Sequence, residues 1–484
     1  MNNTKPIEQK SQKEKAFSSI SLKSFLTVVI ILLAILLCCG GLSYLIPQGA
    51  FARDEAGAII TGTYQRGEVS GIPFWRVITA PFRVFATSDG ATIIAISVFL
   101  LIMSGIFNLL EKTGGIKTFI MQIMNRLKDR TGPVVCITVL AFMLFGSLFG
   151  MFEELVTLLP LIIVFMLSMK MDTMMGLGTC LLASCFGFSA AITNPFSVGI
   201  ASQYAGVHTS SGTWLRMVFF VIIYGLLVGF LLLYQRKIKG KPEASLTYEA
   251  DKARRETLSV EQGEFSSEQK KAFRVYAGFF GIQGVILIAI ASIRAISGLA
   301  IPILAASFLI FGMISGFVVN GKPGQVIRYF FQGATAMFPA VLMIAIASSV
   351  KLVMEESGII DTIMNFVLNL LVGKNKFVAI LLIYFLVIFL QLFIGSATAK
   401  IVLIMPIIMP IAKALGISPN LVILTYCMAD GFTDVIMPTN PVLLIGLSMA
   451  DVPYLKWVKW TWKLQLSVFV ISILVLLFGV AVGY

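Results

Sequence analysis

The chain says the same thing twice. Leu159-Pro160 and Thr193-Asn194-Pro195 return as Met405-Pro406 and Thr439-Asn440-Pro441, displaced by 246 residues without a gap. Val156/Val402, Ile162/Ile408, Thr179/Thr425 and Ala183/Ala429 match at the same displacement. Upstream, Gly90-Ala91-Thr92 answers Gly333-Ala334-Thr335 and Gly115-Ile116 answers Gly358-Ile359 at a displacement of 243, so three residues separate the two registers. In a membrane chain, paired halves with interrupted hydrophobic segments at corresponding places point to the binding site of a secondary transporter.

Hydrophobic residues make up 58% of the chain and charged residues 13%, more apolar surface than a soluble core absorbs. The first apolar run, 25–47, follows a leader carrying Lys5, Lys10, Lys13, Lys15 and Lys23. It is longer than the apolar region of a signal peptide and reads as a retained span. The net charge of +13 does not point to nucleic acid, because the basic residues sit in short loops between spans, where the positive-inside rule accounts for them. The six cysteines all lie in apolar segments without metal-ligand spacing and read as small hydrophobes. His208 is the one histidine and sits in a short loop, so a Ser-His nucleophile or a His-bound metal has no residue to build on. No cofactor is expected.

The spans expected are 25–47, 90–111, 173–199 with a break, 213–235, 273–297, 300–320, 333–354, 420–449 with a break, and 464–482. Two further apolar stretches, 132–170 and 376–415, carry polar residues in the middle. Each is either a re-entrant hairpin or a pair of crossings, and both choices leave the sidedness of the rest unchanged. With the N-terminus inside, the basic loops 112–131 and 236–274 fall in the cytoplasm, as do Lys456, Lys459 and Lys463 among Trp457, Trp460 and Trp462. The segment 48–89, Glu356 and Asp361 fall outside. The unpaired span 273–297 inverts the second half, which sets the two hairpins on opposite faces with their tips near the midplane.

The expected fold class is therefore an all-α polytopic membrane protein with an inverted repeat, two re-entrant hairpins and two broken transmembrane helices. Its divisions are a leader (1–24), a first repeat (25–235), a solvated cytoplasmic linker (236–272), a connecting helix (273–297) and a second repeat (298–484). Residues 72–86, where Phe74, Trp75, Phe82 and Phe85 alternate with Arg76 and Arg83, read as an outer interfacial helix.

Ionisable groups at bilayer depth cost about 2.5 to 3.5 kcal/mol each, so those retained usually face a cavity. Glu153 and Glu154 stand at the expected tip of hairpin one, and Lys400 takes the place of Glu154 in the second half. Asp430 and Asp434, four apart on one helix face, precede the second break and are the candidates for a coupling ion or proton. Asn is a strong helix N-cap and Pro is tolerated at the first helical position, so Asn194-Pro195 and Asn440-Pro441 read as starts of second half-helices after an unwound stretch. The freed N–H groups and positive dipole end there suit a carboxylate, and the unwound carbonyls suit a cation. The expected substrate site is Glu153, Glu154, Thr193, Asn194, Pro195, Ser396, Thr398, Lys400, Thr439 and Asn440.

These residues resemble the YfcC-like branch of the DcuC family, within the ion-transporter superfamily of inverted-repeat, hairpin-containing carriers. The resemblance runs over 25–482. It is carried by Gly150-Met151-Phe152-Glu153-Glu154 with Pro160, Thr193-Asn194-Pro195-Phe196, Gly395-Ser396-Ala397-Thr398-Ala399-Lys400 with Met405-Pro406-Ile407, and Asp430-Gly431-Phe432 leading to Pro438-Thr439. It implies a secondary transporter of the inner or plasma membrane that exchanges basic amino acids of the arginine, ornithine and lysine type by alternating access, or alternatively a carrier of four-carbon dicarboxylates or another small carboxylate coupled to H+ or Na+. Sodium-dicarboxylate relatives carry a Ser-Asn-Thr type motif at each tip. Here tip one is Met151-Phe152-Glu153-Glu154 and tip two is Ser396-Ala397-Thr398. The acidic pair disfavours a dicarboxylate and offers a counter-charge to a cationic amino acid, whose α-carboxylate would meet Lys400 and a half-helix N-terminus. The partners implied are that small molecule, the lipid bilayer and a coupling H+ or Na+; a homodimer is left open, and nucleic acid is not expected. A membrane enzyme would need a nucleophile with a base, or a metal set, and neither is present in the sequence. A channel would need a continuous pore, against which hairpins meeting from opposite faces argue.

The odd count of nine spans gives the first prediction. Reporter fusions will place the 236–274 loop in the cytoplasm and the C-terminal Tyr484 outside, and a result with both on one side overturns the topology.

Overall fold

The computed structural model describes residues 22–53, 60, 62–87, 90–115, 130–156, 158–258, 267–292, 299–371 and 373–484. The expected leader 1–24, the middle of the 112–131 loop, part of the linker and the end of the connecting helix fall wholly or partly outside these residues. The protein is an all-α membrane protein whose described strands, Gly49–Ala50 and Gln65–Arg66, form one short antiparallel pair. Among the described residues, seven helices are long and apolar enough to cross a bilayer: Ile93–Lys112, Thr131–Phe149, Thr213–Gly240, Ile301–Asn320, Pro323–Glu356, Ala397–Ala414 and Tyr454–Ala481. Length alone miscounts the crossings, because two of these are hairpin arms.

Polar contacts sort the loop residues onto two faces. On one, Lys239 Nζ donates to Thr131 Oγ1 at 2.6 Å, Arg255 Nη2 donates to the Met171 carbonyl at 2.6 Å, and Arg254 Nη2 donates to the Ala450 carbonyl at 2.9 Å. On the other, Arg53 pairs with Asp361 at 3.0 Å, Arg83 pairs with Glu356, Lys413 Nζ donates to the Ala205 carbonyl at 3.0 Å, and Asn420 Nδ2 donates to Ser211 Oγ at 2.9 Å. Hairpin one therefore leaves from Thr131 and returns beside Met171 on the linker face. Its return arm, Leu159–Ser168, is ten residues, about 15 Å, and cannot span. Hairpin two, built from Lys376–Gln391 and Ala397–Ala414, leaves and returns on the opposite face, where a Cβ on Gly416 would sit 3.1 Å from the Lys376 side chain. The alternative left open by the sequence is resolved: both stretches are re-entrant, and they enter from opposite sides.

Each broken helix crosses between the faces. The first runs from Thr173 through a π-helical turn at Gly178–Leu182 to Ser189, unwinds, and resumes at Pro195. The second runs Pro419–Asp434, unwinds, and resumes as Pro441–Ala450. The two pack against each other near their breaks. Phe186 and Phe432 meet edge to face at 5.1 Å, Cys185 Sγ–H donates to the Gly431 carbonyl at 2.9 Å, and a Cβ on Gly431 would lie 2.1 Å from Ser189 Oγ. Only glycine fits that crossing.

Around this centre, Gly90–Lys112 packs on Ala300–Asn320 and Pro323–Ala336 through small residues and polar groups, the means by which helices associate where lipid removes the hydrophobic drive. Ser104 Oγ donates to the Gly333 carbonyl at 2.8 Å and Asn108 Nδ2 to the Tyr329 carbonyl at 2.6 Å. The expected interfacial helix is Phe74–Arg83, with Val77 and Ala80 buried and Phe74, Trp75 and Phe82 exposed. The linker differs from a solvated spacer: its helix Tyr248–Leu258 is docked, and Asp251 is 1% exposed. The reason is local, since Asp251 supplies acceptors to the start of the first broken helix.

A Cβ on Gly333 would sit 2.4 Å from the Ser104 carbonyl oxygen, whereas one on Gly229, also in a membrane helix, meets nothing within 4 Å. Gly333→Ala is expected to lower the melting temperature in detergent by the equivalent of about 1 to 3 kcal/mol, while Gly229→Ala leaves it unchanged or raises it.

Candidate functional site

Each hairpin tip is locked to the break in the broken helix of its own half. In the first, the arm Thr131–Leu144 continues into a π-helical turn, Phe145–Phe149, and stops at Gly150 with φ +71°. A Cβ there would lie 2.2 Å from Asn194 Oδ1, so the tip can approach the break only through glycine. The Ser147 carbonyl accepts from three successive unwound amides, Ile192, Thr193 and Asn194, at 3.1, 3.2 and 3.0 Å. Ser147 Oγ donates to the Ala190 carbonyl at 2.7 Å, and Thr193 Oγ1 donates to the Leu148 carbonyl at 3.0 Å. Asn194 Oδ1 accepts from Phe196 N at 2.9 Å and Ser197 N at 3.3 Å, with Pro195 as the first residue of the resumed helix.

The second half repeats the device with different atoms. Asn440 Oδ1 accepts from Val442 N at 2.8 Å and Leu443 N at 3.2 Å, and Pro441 again opens the half-helix. Thr439 Oγ1 donates to the Gln391 carbonyl at 3.2 Å. The Asp434 carboxylate is held by two amides, Asn440 Nδ2 at 2.6 Å and Gln391 Nε2. Ser396 caps the return arm, its Oγ accepting from Ala399 N at 3.3 Å, and Tyr426 OH donates to the Ala397 carbonyl at 2.6 Å. Thr398 follows in the first turn, half-buried.

The structure corrects two expectations. The Asn side chains themselves occupy the first freed N–H groups of both half-helices, leaving the dipole but not those donors for a carboxylate. Lys400, expected to face the acidic pair of tip one, instead pairs with Asp430 of the second broken helix, the two side chains being 0% and 1% exposed. Among the described residues the ammonium has no other acceptor. Asp430 and Asp434 share a region as expected from their spacing, yet they have separate partners.

Glu153 opens the short helix Glu153–Val156 and lines a narrow crevice with Ile96, Leu100, Val442, Ile445 and Met449, within charge–charge range of Asp434. Glu154 belongs to the same turn, and its side chain is outside the described set. Tip one thus reaches the second broken helix, across the repeat. Opposite the linker face, a cavity of ≈ 890 Å³ opens between Arg53, Lys351, Glu355 and Asp361 and reaches down to Ile394, Ala399 and Leu403 at tip two. Ser396, three residues before Ala399, is exposed. Ser147 and Gln391 were not among the sequence candidates. The signal available for Gln391 was a lone amide in the apolar arm Lys376–Gln391.

Breaking the buried pair from one side strands a charge. Lys400→Met is expected to cost about 3 to 5 kcal/mol and lower the melting temperature accordingly, whereas Lys400→Met with Asp430→Leu recovers most of the loss.

Comparison with known proteins follows the same lines. The family model of the C4-dicarboxylate anaerobic carrier, DcuC, matches residues 25–481. A Haemophilus influenzae protein without an assigned function is 28% identical, covering 83% of this chain and 77% of its own. The Escherichia coli K12 protein YfcC, named as a candidate basic amino acid antiporter, is 25% identical, covering 94% of this chain and 96% of its own. Among solved structures, the Alcanivorax borkumensis YdaH transporter aligns with 19% identity and a TM-score of 0.43 over 95% of this chain and 99% of its own. Neisseria gonorrhoeae MtrF, from a class of antimetabolite efflux pumps, aligns with 14% identity and a TM-score of 0.42 over 94% of each chain. The chain belongs to the DcuC family, as a membrane transporter of the DcuC/YfcC group.

Proposed function

We propose that this transporter exchanges basic amino acids of the arginine, ornithine and lysine type by alternating access across the cell membrane. The observation that carries the reading is the Asp434 carboxylate, which among the described residues is held by the amides of Asn440 and Gln391, while Lys400 makes its close pair with Asp430. Glu153 is a second acid within electrostatic range of Asp434. A unit charge 4 Å from such a carboxylate is worth about 4 kcal/mol at an effective dielectric of 20, favourable for a cationic head and unfavourable by the same amount for a carboxylate. Asp434 and Glu153 counter the cationic side chain. The α-carboxylate is assigned to Gly395-Ser396-Ala397-Thr398, where the N-terminus of the Ala397–Ala414 helix adjoins the open cavity and its dipole favours an anion. The candidate basic antiporter YfcC supports the same substrate class.

A second reading is favoured by the family's description as a C4-dicarboxylate carrier. In it Asp434 carries the coupling proton and the substrate's two carboxylates use tip two and its half-helix. The acids Asp434 and Glu153 weigh against it, since like charges near a dianion disfavour its binding.

Uptake into proteoliposomes with labelled arginine, ornithine, lysine, succinate and fumarate separates the readings. Saturable uptake of the basic amino acids, stimulated by counter-substrate inside, is expected. Asp434→Asn and Glu153→Gln should each weaken it at least tenfold, about 1.4 kcal/mol, as a charge-assisted contact is lost where water cannot replace it. Ser396→Ala should impair arginine more than agmatine, which lacks the α-carboxylate. Uptake of succinate or fumarate with no uptake of the three basic amino acids overturns this reading and installs the second.

A further inference from the structure

The two faces of the molecule are closed to different degrees. On one, the ≈ 890 Å³ cavity leads to tip two. On the other, the linker helix Tyr248–Leu258 ties down the ends of both broken helices. Asp251 accepts from Thr173 N at 2.9 Å and Thr173 Oγ1 at 2.5 Å, at the first residue of the first broken helix. Arg254 donates to Thr173 Oγ1 through Nη1 and to the Ala450 carbonyl through Nη2, both at 2.9 Å, and Ala450 is the last residue of the second broken helix. Asp172, 2% exposed, accepts from Ser245 Oγ at 2.6 Å. Lys456 Nζ donates to the Leu246 carbonyl at 3.2 Å.

These ties have a common chemistry. They are hydrogen bonds and charges made by a segment, Tyr-Glu-Ala-Asp-Lys-Ala-Arg-Arg-Glu-Thr-Leu, with little apolar surface of its own. Hydrogen bonds to charged groups are stronger than those between neutral groups, enough together to hold the segment in place. Yet its release exposes groups that water satisfies, unlike release of a packed apolar helix, so opening is inexpensive for an element of this size. A segment joining two helices from different repeats, at the face opposite the open cavity, is placed to control access from that side.

We propose that residues 241–255 form a latch that holds the linker-side access route shut while the opposite face is open, and that its release accompanies opening to the linker side. The inference rests on alternating access and is independent of which substrate is carried.

The test uses the full chain with its six cysteines replaced. A reporter, Ile192→Cys, stands beside Asn194 at the first break and is probed with a membrane-impermeant maleimide added from the linker side. Asp251→Asn with Arg254→Gln should raise the labelling rate at least fivefold, and an unchanged rate overturns the latch. In a second arm, Leu246→Cys and Lys456→Cys are joined by a short, reducible bis-methanethiosulfonate reagent, without disturbing any site residue. Cross-linking should abolish linker-side labelling of Ile192→Cys, and reductant should restore it. Labelling that persists through the cross-link shows a static brace and overturns the proposal. Because neither arm uses a substrate, a failed latch is distinguishable from a wrong substrate class. A wrong alternating-access reading shows instead as Ile192→Cys labelled from one side only in every variant.

Discussion

A helix that unwinds inside a bilayer must find partners for its freed backbone groups, and every other feature of this site follows from how it does so. Each unsatisfied N–H or C=O in hydrocarbon costs several kcal/mol, so irregular backbone survives only where protein covers it. Here the cover is a hairpin tip. Ser147 offers one carbonyl to three amides of the first break, and at the second the Gln391 carbonyl takes the Thr439 hydroxyl. The first break depends on its hairpin for backbone partners, and each hairpin tip ends against the break of its own half. The displacement that relates Pro160 to Pro406 and Pro195 to Pro441 without insertion is the sequence trace of that pairing.

The parts of the fold governed by local rules were legible in the sequence. Asn194-Pro195 and Asn440-Pro441 announce themselves because capping and the proline ring act within two or three residues, and both caps form with the expected bonds. The parity of the spans set the hairpins on opposite faces for a similar reason, since span length and loop charge are one-dimensional properties. What the sequence concealed is pairing across the fold. The repeat set Glu154 and Lys400 in equivalent positions, which suggested that they face one another, but equivalence under an inverted symmetry is not proximity. Lys400 lies against Asp430, thirty residues on, because the return arm packs on the broken helix of its own half. The linker departs from the expected solvated spacer for the opposite reason: polar composition indicates solvent only when no buried polar partner awaits it, and Thr173 does.

The halves also differ at the residues around the breaks. At the displacement of 246, Asp430 and Asp434 correspond to Ser184 and Phe188, and Gln391 to Phe145. Ser184 bonds its own helix at Cys180, and Phe188 packs on Phe152 at 6.3 Å. Half one therefore holds its break with backbone and hydroxyl groups and carries its acids on the tip, while half two carries acids on the broken helix and a cation on the returning arm. Two identical halves would have given a site symmetric in charge, with nothing to orient a bipolar substrate. The departure from symmetry separates an acidic region around Asp434 and Glu153 from a helix N-terminus at Ser396, the arrangement that the proposed basic amino-acid substrate, with one cationic and one anionic end, would read.

The buried pair at the centre fits that division. Replacing Lys400 and Asp430 by apolar residues would be near neutral for stability, so stability alone does not explain why the pair exists. Its position does. Lys400 lies one turn into the arm that begins at Ser396, and Asp430 lies one turn before Asp434, so the pair fixes the anion-favouring end of tip two to the helix that presents the acidic group. An apolar contact of equal strength would leave the arm free to slide along the helix. A charge pair with one partner on each side does not, since any shift strands both charges where water cannot reach them. The distance between the two ends of the site is in this way held by the one interaction that tolerates no displacement.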